Sequence, residues 1–150
     1  MSDFPFCEKC AAEYNDPSDR RYHIEGFSCP VCGPSVKGFD EAIEALIKGK
    51  VAAIKGLGGY HIACSAIDHS AVALLRKRKR RPGKPFALMF RSVEAARQYA
   101  DISPEEEKLL TSKVSPIVIV RLKPGSGIAE NIAPDNGYLG IMIAYTPLHQ

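Results

Sequence analysis

Apolar and polar positions change their spacing near residue 37. The first 37 residues show little periodic apolar pattern, whereas residues 38–150 alternate between one-sided helical stretches and short continuous apolar runs. This order of elements is typical of an α/β (α+β) domain in which helices flank a mixed sheet. We therefore predict a small N-terminal module over residues 1–37 and an α/β domain over residues 38–150.

Helices are predicted wherever apolar positions on one face follow a residue that caps helix N-termini. Asp40 is the expected N-cap of a helix over residues 41–48, which Gly49 ends. Asp68 is the expected N-cap of a longer helix that stops before Pro82. Two further N-caps are predicted at Ser92 and at Ser103, the second within a capping box.

Short apolar runs predict the strands, which we place at residues 51–54, 62–64, 85–90, 117–122 and 139–143. The run at 51–54 is continuously apolar, as expected of a strand that is covered on both faces. It leads into a glycine-rich loop that contains Gly58, Gly59 and His61. Such a loop can bring backbone amides close to an anion, and a plain tight turn is an equally weighted interpretation. His61 occupies the place of the third glycine of a dinucleotide fingerprint, so that motif is excluded.

The N-terminal module contains two Cys-x-x-Cys pairs, Cys7 with Cys10 and Cys29 with Cys32. Eighteen residues separate Cys10 from Cys29, which lies within the spacing of four-thiolate zinc sites. Four thiolates close a tetrahedral shell, so we predict one structural Zn²⁺ with no open position for catalysis. Iron in the same thiolate set and a redox dithiol are the alternatives, and His23 is a lower-ranked candidate ligand.

Composition narrows the class of protein without indicating a substrate. With 150 residues, 45% hydrophobic and 25% charged positions, the chain has an ordinary globular composition. The sequence has no 18-residue apolar window and no basic, apolar start, so we expect neither a membrane span nor a signal peptide. The cytoplasm is the predicted compartment, and its reducing conditions favour metal binding over disulfides. Cys64, alone in an apolar stretch, is predicted to be a small buried hydrophobe.

The net charge of +3 is unevenly distributed, because residues 76–81 are consecutive cations and Lys84 follows closely. We call residues 76–81 the basic run. It ends the predicted helix that follows Asp68, where the helix dipole favours positive charge. Lys79, Arg81 and Lys84 are the candidate phosphate ligands of this region. A solvated helix end and salt-sensitive nucleic-acid binding are the alternatives.

Five motifs occur in a fixed order: CEKC at 7–10, CPVCGP at 29–34, KGLGGYH at 55–61, LRKRKRRPGKPFALM at 75–89 and YTPLH at 145–149. Their combination resembles the HypF family of hydrogenase maturation carbamoyltransferases, from the second zinc finger of that family into its YrdC-like domain. The resemblance implies a YrdC-like twisted mixed sheet with flanking helices, preceded by a four-cysteine zinc finger. It also leads us to expect a fragment whose YrdC-like domain is incomplete at its C-terminal end. Ser65, Ser115 and Ala144 stand where aspartate, arginine and proline are common in the family.

The resemblance implies ATP-dependent chemistry on carbamoyl phosphate in nickel-iron hydrogenase maturation. In that family, carbamate from carbamoyl phosphate reacts with ATP and Mg²⁺ to give carbamoyl-adenylate, and the carbamoyl group passes to the C-terminal cysteine of a HypE-type acceptor protein. The residues that the resemblance assigns to ATP and the carbamoyl group are Lys79 and Arg81, as catalytic residues, with Lys84, Ser112, Gly58, Gly59 and His61 as further contacts. Two alternatives stay open: a relative of threonylcarbamoyl-adenylate synthases, which normally lack zinc knuckles, and a zinc-containing YrdC-like module that binds double-stranded RNA.

Overall fold

The structure is a computed structural model that describes residues 5–24, 29, 31–33, 36–56 and 58–150. The chain divides into two compact units, Met1–Asp40 and Glu41–Gln150. Parts of the predicted N-terminal module, and residue 57 of the predicted glycine-rich loop, lie outside the described residues. Within the described residues, no helix has the length and apolar character that crossing a membrane requires.

The first unit contains a helix that the apolar pattern does not predict, α1 over Glu8–Asn15. Its N-cap is Cys7, whose side chain makes no capping hydrogen bond. The helix ends at Asn15, and the N–H of its C-cap, Asp16, donates to the carbonyl of Ala12 at 3.0 Å. The helix has no apolar stripe in the sequence, because the residue that α1 buries is a cysteine, Cys10.

The next helix, α2, covers Phe39–Ile47, so the helix predicted over residues 41–48 is present but its predicted N-cap is wrong. Asp40 lies inside the first turn, because Gly38 adopts a left-handed φ of +72° and the helix begins directly after it. A carboxylate in the first turn is still favoured by the positive end of the helix dipole. At the other end, Gly49 has a φ of +69° and its N–H donates to the carbonyl of Leu46, which confirms the predicted stop.

Two short strands, β1 over Ala52–Lys55 and β2 over Tyr60–Ala63, form an antiparallel hairpin. Lys55 pairs with Tyr60 next to the loop. The prediction that β1 is covered on both faces is wrong, since half-buried and exposed positions alternate along it. Within the part of the chain that the structure describes, the hairpin is a two-stranded sheet of its own. The apolar run 51–54 gives a wrong prediction because its exposed member is Ala53, whose small side chain can face solvent at little cost.

The larger sheet has four strands in the order β3, β6, β5, β4. The strands are β3 over Ala87–Phe90, β4 over Ala100–Asp101, β5 over Val118–Leu122 and β6 over Tyr138–Ile143. Strand β3 is parallel to β6, while β5 is antiparallel to β6 and to β4, so the sheet is mixed, as predicted. The strands predicted at 85–90, 117–122 and 139–143 are confirmed to within one or two residues, and β4 is an addition.

Three helices accompany this sheet: α3 over His69–Lys79, α4 over Val93–Arg97 and α5 over Pro104–Leu110. All three predicted N-caps are confirmed. Asp68 and Ser92 accept hydrogen bonds from backbone N–H groups in the first turns of α3 and α4. Ser103 and Glu106 form the complete capping box of α5.

The core of the second unit lies on one face of the four-stranded sheet. Its largest fully buried side chains come from two helices and two strands: Val72, Leu110, Val120, Leu139 and Ile141. On the opposite face, Ile119 of β5 is 69% exposed. Val72 packs α3 into this core, and the basic run therefore ends a helix that the core holds in place.

Candidate metal centre and anion-binding segment

The cysteine side chains converge in the first unit. Their sulfur atoms all lie within 4.8 Å of one another, and the residues that contribute them are Cys7, Cys10, Cys29 and Cys32. The Sγ atoms of Cys7 and Cys32 are 3.3 Å apart, and those of Cys10 and Cys32 are 3.8 Å apart. Zinc–sulfur bonds of about 2.3 Å give a tetrahedron whose edges are about 3.8 Å long. The cluster therefore has the donor set and the size of a structural zinc site.

Two backbone turns deliver these sulfurs. Cys7 immediately precedes α1 and Cys10 lies in its first turn, so one turn presents both thiols. In the second turn, the N–H of Cys32 donates to Sγ of Cys29 at 2.6 Å. This hydrogen bond, followed by one from the backbone of Cys7, lowers the pKa of Cys29 to about 6, whereas burial raises the pKa of Cys10 to about 12. A bound cation favours the thiolate at every position, because only the deprotonated sulfur is a ligand.

His23, the lower-ranked candidate ligand, lies outside the sulfur cluster. Its ring stacks on Tyr14 and Tyr22, with centroid distances of 4.9 Å and 4.2 Å. Among the residues that the structure describes, the converging group of potential metal ligands consists of the cysteines alone. Aromatic packing therefore accounts for His23, and a four-thiolate shell needs no fifth donor.

The basic run ends α3, as predicted, and the chain leaves the helix through Arg80. Arg80 has φ 49° and ψ 47°, a left-handed conformation that glycine usually adopts, and its N–H donates to the carbonyls of Arg76 and Lys77. Lys79 and Lys84 are both exposed and lie on either side of this turn. We call residues 79–84 the 79–84 segment.

Arg81 is the half-buried cation of the 79–84 segment. Its Nη2 donates to the carbonyl of Pro85 at 2.8 Å, and its guanidinium lies 5.1 Å from the ring centroid of Phe86. Its Nε is buried and has no hydrogen-bond partner among the described residues. A guanidinium that is oriented by one carbonyl and one ring is pre-organised to receive an anion.

Arg76 belongs to the basic run by sequence, yet the structure buries it to 9% exposure. All of its hydrogen bonds go to backbone carbonyls, and its guanidinium lies 4.7 Å from the ring centroid of Phe86. Burial, and secondly the charge of Arg81, lower the pKa of Arg76. The sequence does carry a signal for this burial, because Arg76 follows the buried Val72 by four residues and so shares its face of α3.

In the described part of the glycine-rich loop, the glycines differ in the space around them. No atom lies within 4 Å of a Cβ built on Gly58 or Gly59, and both residues are exposed. A Cβ on Gly56 would lie 2.6 Å from Nε2 of His61 and 3.3 Å from the carbonyl oxygen of Gly59, so a larger residue here would displace the His61 ring. The N–H of Gly56 donates to the carbonyl of Gly59 at 2.7 Å and closes the turn. The open space at Gly58 and Gly59 is compatible with the predicted ligand contact, which stays a prediction.

His61 is part of an aromatic cluster with Tyr145 and His149, for which the YTPLH motif is the only signal in the sequence. The hydroxyl of Tyr145 lies 3.2 Å from Nε2 of His61, and the rings of His61 and His149 are 5.5 Å apart. Oγ1 of Thr146 is 2.7 Å from Nδ1 of His149, whose Nε2 is buried without a partner among the described residues. Burial, and secondly the charge of His61, lower the pKa of His149. The neutral imidazole is therefore the favoured form of His149 near pH 7.

Two further residues singled out by the sequence have local roles. The hydroxyl of Ser112 donates to the carbonyl of Leu109 at 2.7 Å, at the end of α5. Its predicted contact with a ligand stays a prediction. Cys64 is half-buried against the core, and burial, followed by the charge of Asp68, raises the pKa of its thiol. Cys64 is thus less buried than predicted, and its contact with the core is compatible with the role of a small hydrophobe.

The second unit also has two open cavities away from the 79–84 segment. One, of about 500 Å³, is lined by His69 and by residues 128–136. The other, of about 520 Å³, lies beside β4, and its lining includes the cations Arg97 and Arg121 and the acids Asp101 and Glu106. Neither of these two cavities includes a candidate site residue, so the 79–84 segment is better described as an exposed surface than as part of either cavity.

Two family models match the chain. The model described as HypF finger matches residues 6–37, which include all of the clustered cysteines. The Sua5/YciO/YrdC model, described as telomere recombination, matches residues 44–150 and so covers the mixed sheet and the 79–84 segment.

Curated relatives are similar over nearly the whole chain. Carbamoyltransferase HypF of Rhodobacter capsulatus is 44% identical over an alignment of 161 positions, gaps included, that covers 99% of this chain and 21% of that protein. Carbamoyltransferase HypF of Synechocystis sp. is 39% identical over an alignment of 213 positions, gaps included, that covers 99% of this chain and 28% of that protein. The chain therefore spans between a fifth and a third of the length of these relatives.

Solved structures agree with this similarity. A full-length HypF in the phosphate- and nucleotide-bound form matches with a TM-score of 0.80 and 47% identity, covering 99% of this chain and 21% of that one. HypF of T. kodakarensis matches with a TM-score of 0.80 and 43% identity over the same shares. P. abyssi Sua5 complexed with L-threonine matches with a TM-score of 0.65 at 19% identity, covering 77% of this chain and 35% of that one, which shows the fold alone.

Proposed function

Because the chain belongs to the Sua5/YciO/YrdC family and carries a HypF finger ahead of that domain, we propose that it supplies the finger and the adenylate-forming site of a HypF-type carbamoyltransferase. The observation that carries the proposal is this ordered pair of modules in one chain, at 44% identity to a carbamoyltransferase HypF across 99% of its length. Sua5-type relatives share only the fold at 19% identity, so they offer weaker support for the alternative enzyme.

In the proposed reaction, an oxygen of carbamate attacks the α-phosphorus of ATP. A new phosphorus–oxygen bond forms, the bond to the β-phosphate oxygen breaks, and pyrophosphate leaves with Mg²⁺. The carbamoyl-adenylate then gives its carbamoyl group to the thiolate of the C-terminal cysteine of a HypE-type acceptor, and AMP leaves. The carbamate comes from hydrolysis of carbamoyl phosphate, in which water is consumed and inorganic phosphate leaves. Adenylate formation mainly requires that two anions be held together and their charge neutralised.

Lys79 and Arg81 are the residues that we assign to the phosphates and the carbamoyl group. Arg81 is half-buried and oriented by Pro85 and Phe86, so its planar fork is pre-organised for an oxyanion. Lys79 is exposed and provides a mobile point charge. Lys84, on the far side of the turn, would add a second mobile charge near the phosphates.

Four further residues are assigned to the proposed site by the family resemblance. Gly58 and Gly59 have room for a ligand next to their backbone. His61 and Ser112 are assigned polar contacts with the nucleotide or the carbamoyl group. The only charged groups in this assignment are cations, which matches substrates that are all anionic.

The zinc ion is proposed to have a structural role. Cys7, Cys10, Cys29 and Cys32 would hold it, and a closed four-thiolate shell supplies a cross-link and leaves no position for substrate. Metal analysis distinguishes zinc from iron, which accepts the same ligands. Retention of four reduced thiols fits the reducing cytoplasm, to which we assign the chain.

The proposal is tested by titrating MgATP into the zinc-loaded chain by isothermal calorimetry, with and without carbamoyl phosphate. We expect saturable binding to one site and at least a tenfold rise in Kd for the Lys79→Ala/Arg81→Ala variant, which corresponds to about 1.4 kcal/mol. Lys77→Gln, which removes an exposed charge outside the 79–84 segment, is the matched control and should change Kd less than threefold. Absence of MgATP binding by the folded chain contradicts the proposal for this chain.

The same proteins distinguish the RNA alternative. Double-stranded RNA that used the basic run as a charged surface would lose affinity steeply between low and physiological salt, would ignore MgATP, and would respond to Lys77→Gln as strongly as to a change at Lys79. Binding with that profile, in place of MgATP binding, would favour an RNA-binding module.

A further inference from the structure

Arg76 differs from the other cations of the basic run because it is buried. Its side chain is 9% exposed, whereas Lys77, Arg78 and Lys79 are exposed. It occupies a position of α3 that faces the core, next to Val72 in the helical repeat. An apolar residue would fill such a position at a lower desolvation cost, so the guanidinium needs an explanation beyond packing.

One side of the Arg76 guanidinium is fixed to the core. Its Nε donates to the carbonyl of Asn131 at 2.6 Å, and its Nη2 donates to the carbonyl of Ile132 at 2.9 Å. Ile132 is itself buried, and its carbonyl also accepts the N–H of Phe86 at 3.0 Å. The Asn131 and Ile132 carbonyls therefore hold the guanidinium in one orientation.

The other side of the guanidinium is bonded to the 79–84 segment. Nη1 of Arg76 lies 2.8 Å from the carbonyl of Arg81, 3.2 Å from that of Pro82 and 3.1 Å from that of Lys84. Three carbonyls of one short turn thus converge on a single nitrogen. Because the backbone of this turn is held from inside, the candidate ligand residues Arg81 and Lys84 are attached to a fixed frame.

The charge of Arg76 is not neutralised by any of these bonds, since every acceptor is a neutral carbonyl. The guanidinium groups of Arg76 and Arg81 lie 4.7 Å and 5.1 Å from the same Phe86 ring centroid. Two like charges at one ring repel each other, and an anion bound at Arg81 relieves that repulsion. Inside the protein, where screening by water is weak, the charge of Arg76 also reaches such an anion without contact.

We propose that Arg76 is a positioning residue for anion binding by the 79–84 segment: it fixes the backbone that carries Arg81 and Lys84, and its buried charge strengthens anion binding without touching the ligand. The inference rests on the proposed function of that segment. Arg76 is thereby added to the candidate ligands Lys79, Arg81 and Lys84 as a residue that acts on them from the core side.

The test compares Arg76→Lys with wild type and with Lys77→Gln, using inorganic pyrophosphate as the anion probe. Lysine keeps the charge, but a single ammonium group cannot donate in both directions as the guanidinium does. We expect amide hydrogen exchange at Arg81 and Phe86 to accelerate at least tenfold in Arg76→Lys, with the amides of β5 unchanged. We also expect the Kd for pyrophosphate to rise at least tenfold. Lys77→Gln should accelerate neither amide and should change Kd less than threefold.

The outcomes separate the two proposals. A folded wild-type chain that binds no pyrophosphate contradicts the proposed function itself. Equal pyrophosphate affinity of wild type and Arg76→Lys contradicts the positioning role alone, whether or not the amides exchange faster. Unchanged exchange at Arg81 and Phe86 also contradicts that role, because the frame would then not depend on the guanidinium.

A measurement on the wild-type chain covers the case in which Arg76→Lys does not fold. In nitrogen-15 spectra of arginine side chains, the guanidinium protons of Arg76 should exchange with water at least tenfold more slowly than those of the exposed Arg78. Added pyrophosphate should shift the Nε–H of Arg81, which has no hydrogen-bond partner in the part of the chain that the structure describes, more than that of Arg76. Exchange of Arg76 as fast as that of Arg78 would overturn the inference.

Discussion

The two units of this chain bury different kinds of side chain. In the described part of Met1–Asp40, the buried residues are Cys10 and Cys29, both of the candidate metal site. In Glu41–Gln150, large apolar side chains such as Leu139 are fully buried. The described part of the first unit therefore shows none of the apolar burial that stabilises the second, and the structural zinc proposed for the sulfur cluster would supply the difference.

The helix ends show the same contrast. The N-cap of α1 is Cys7, whose side chain makes no capping hydrogen bond and whose sulfur lies in the metal cluster. In the second unit, α3, α4 and α5 are each capped by an oxygen-bearing side chain, and the caps are Asp68, Ser92 and Ser103. Because Cys7 is both the N-cap of α1 and a candidate metal ligand, we expect metal binding and the stability of α1 to be coupled.

Metal removal should have the largest effect and should act on one unit. We expect a chelator, or Cys29→Ser, to unfold the first unit, because structural zinc contributes an apparent free energy of about 10–16 kcal/mol in small fingers. Hydrogen exchange, read peptide by peptide, should show loss of protection in α1 and retained protection in β5 and β6. Metal analysis should find one zinc per chain in the wild type.

Cys64→Ser is the matched control, because Cys64 is packed at the core and lies outside the sulfur cluster. It should keep its zinc and the protection of α1. Protection of α1 that survives complete metal removal would break the comparison, since the first unit would then be stable without its ion.

A core substitution should have the converse effect. Leu139→Ala removes a fully buried side chain from β6 and should lower the free energy of unfolding of the second unit by about 2–5 kcal/mol. Urea denaturation followed by circular dichroism measures this loss, and the zinc content should stay at one per chain. Val114→Ala, at an 83% exposed position, is the control and should change stability by no more than about 0.5 kcal/mol. Loss of zinc from Leu139→Ala would mean that the two units are not independently stabilised.

Features determined by neighbouring residues could be predicted from the sequence. The caps at Asp68 and Ser103 depend on N–H groups two or three positions away, and the cysteine pairs depend on turns of the same length. Each of these signals lies within a few consecutive residues, so residue type and spacing are enough to locate it.

Features that depend on contacts between distant residues could not be predicted from the sequence. Arg76 is a cation among cations in the sequence, and its burial depends on acceptors such as Asn131, 55 positions away. The exposure of β1 depends on which strand it pairs with, and a four-residue apolar run does not encode that choice. The assignment of Lys79 and Arg81 comes from the family resemblance and remains a prediction until a ligand is bound.

Loss of a single cap should have the smallest effect and shows how the second unit stabilises its helix ends. Ser103→Ala removes the hydroxyl that accepts the N–H of Glu106 at 3.2 Å, while the Glu106 carboxylate can still accept the backbone N–H of residue 103. Because half of the capping box survives, we expect a loss of about 1 kcal/mol in urea denaturation, with no change in zinc content. Ser70→Ala, at an exposed position in the first turn of α3, leaves the Asp68 cap in place and should stay within about 0.5 kcal/mol of wild type. A loss from Ser103→Ala as small as that of the control would mean that core packing alone holds α5. The difference in helix capping between the two units would then make no measurable contribution to the free energy of unfolding.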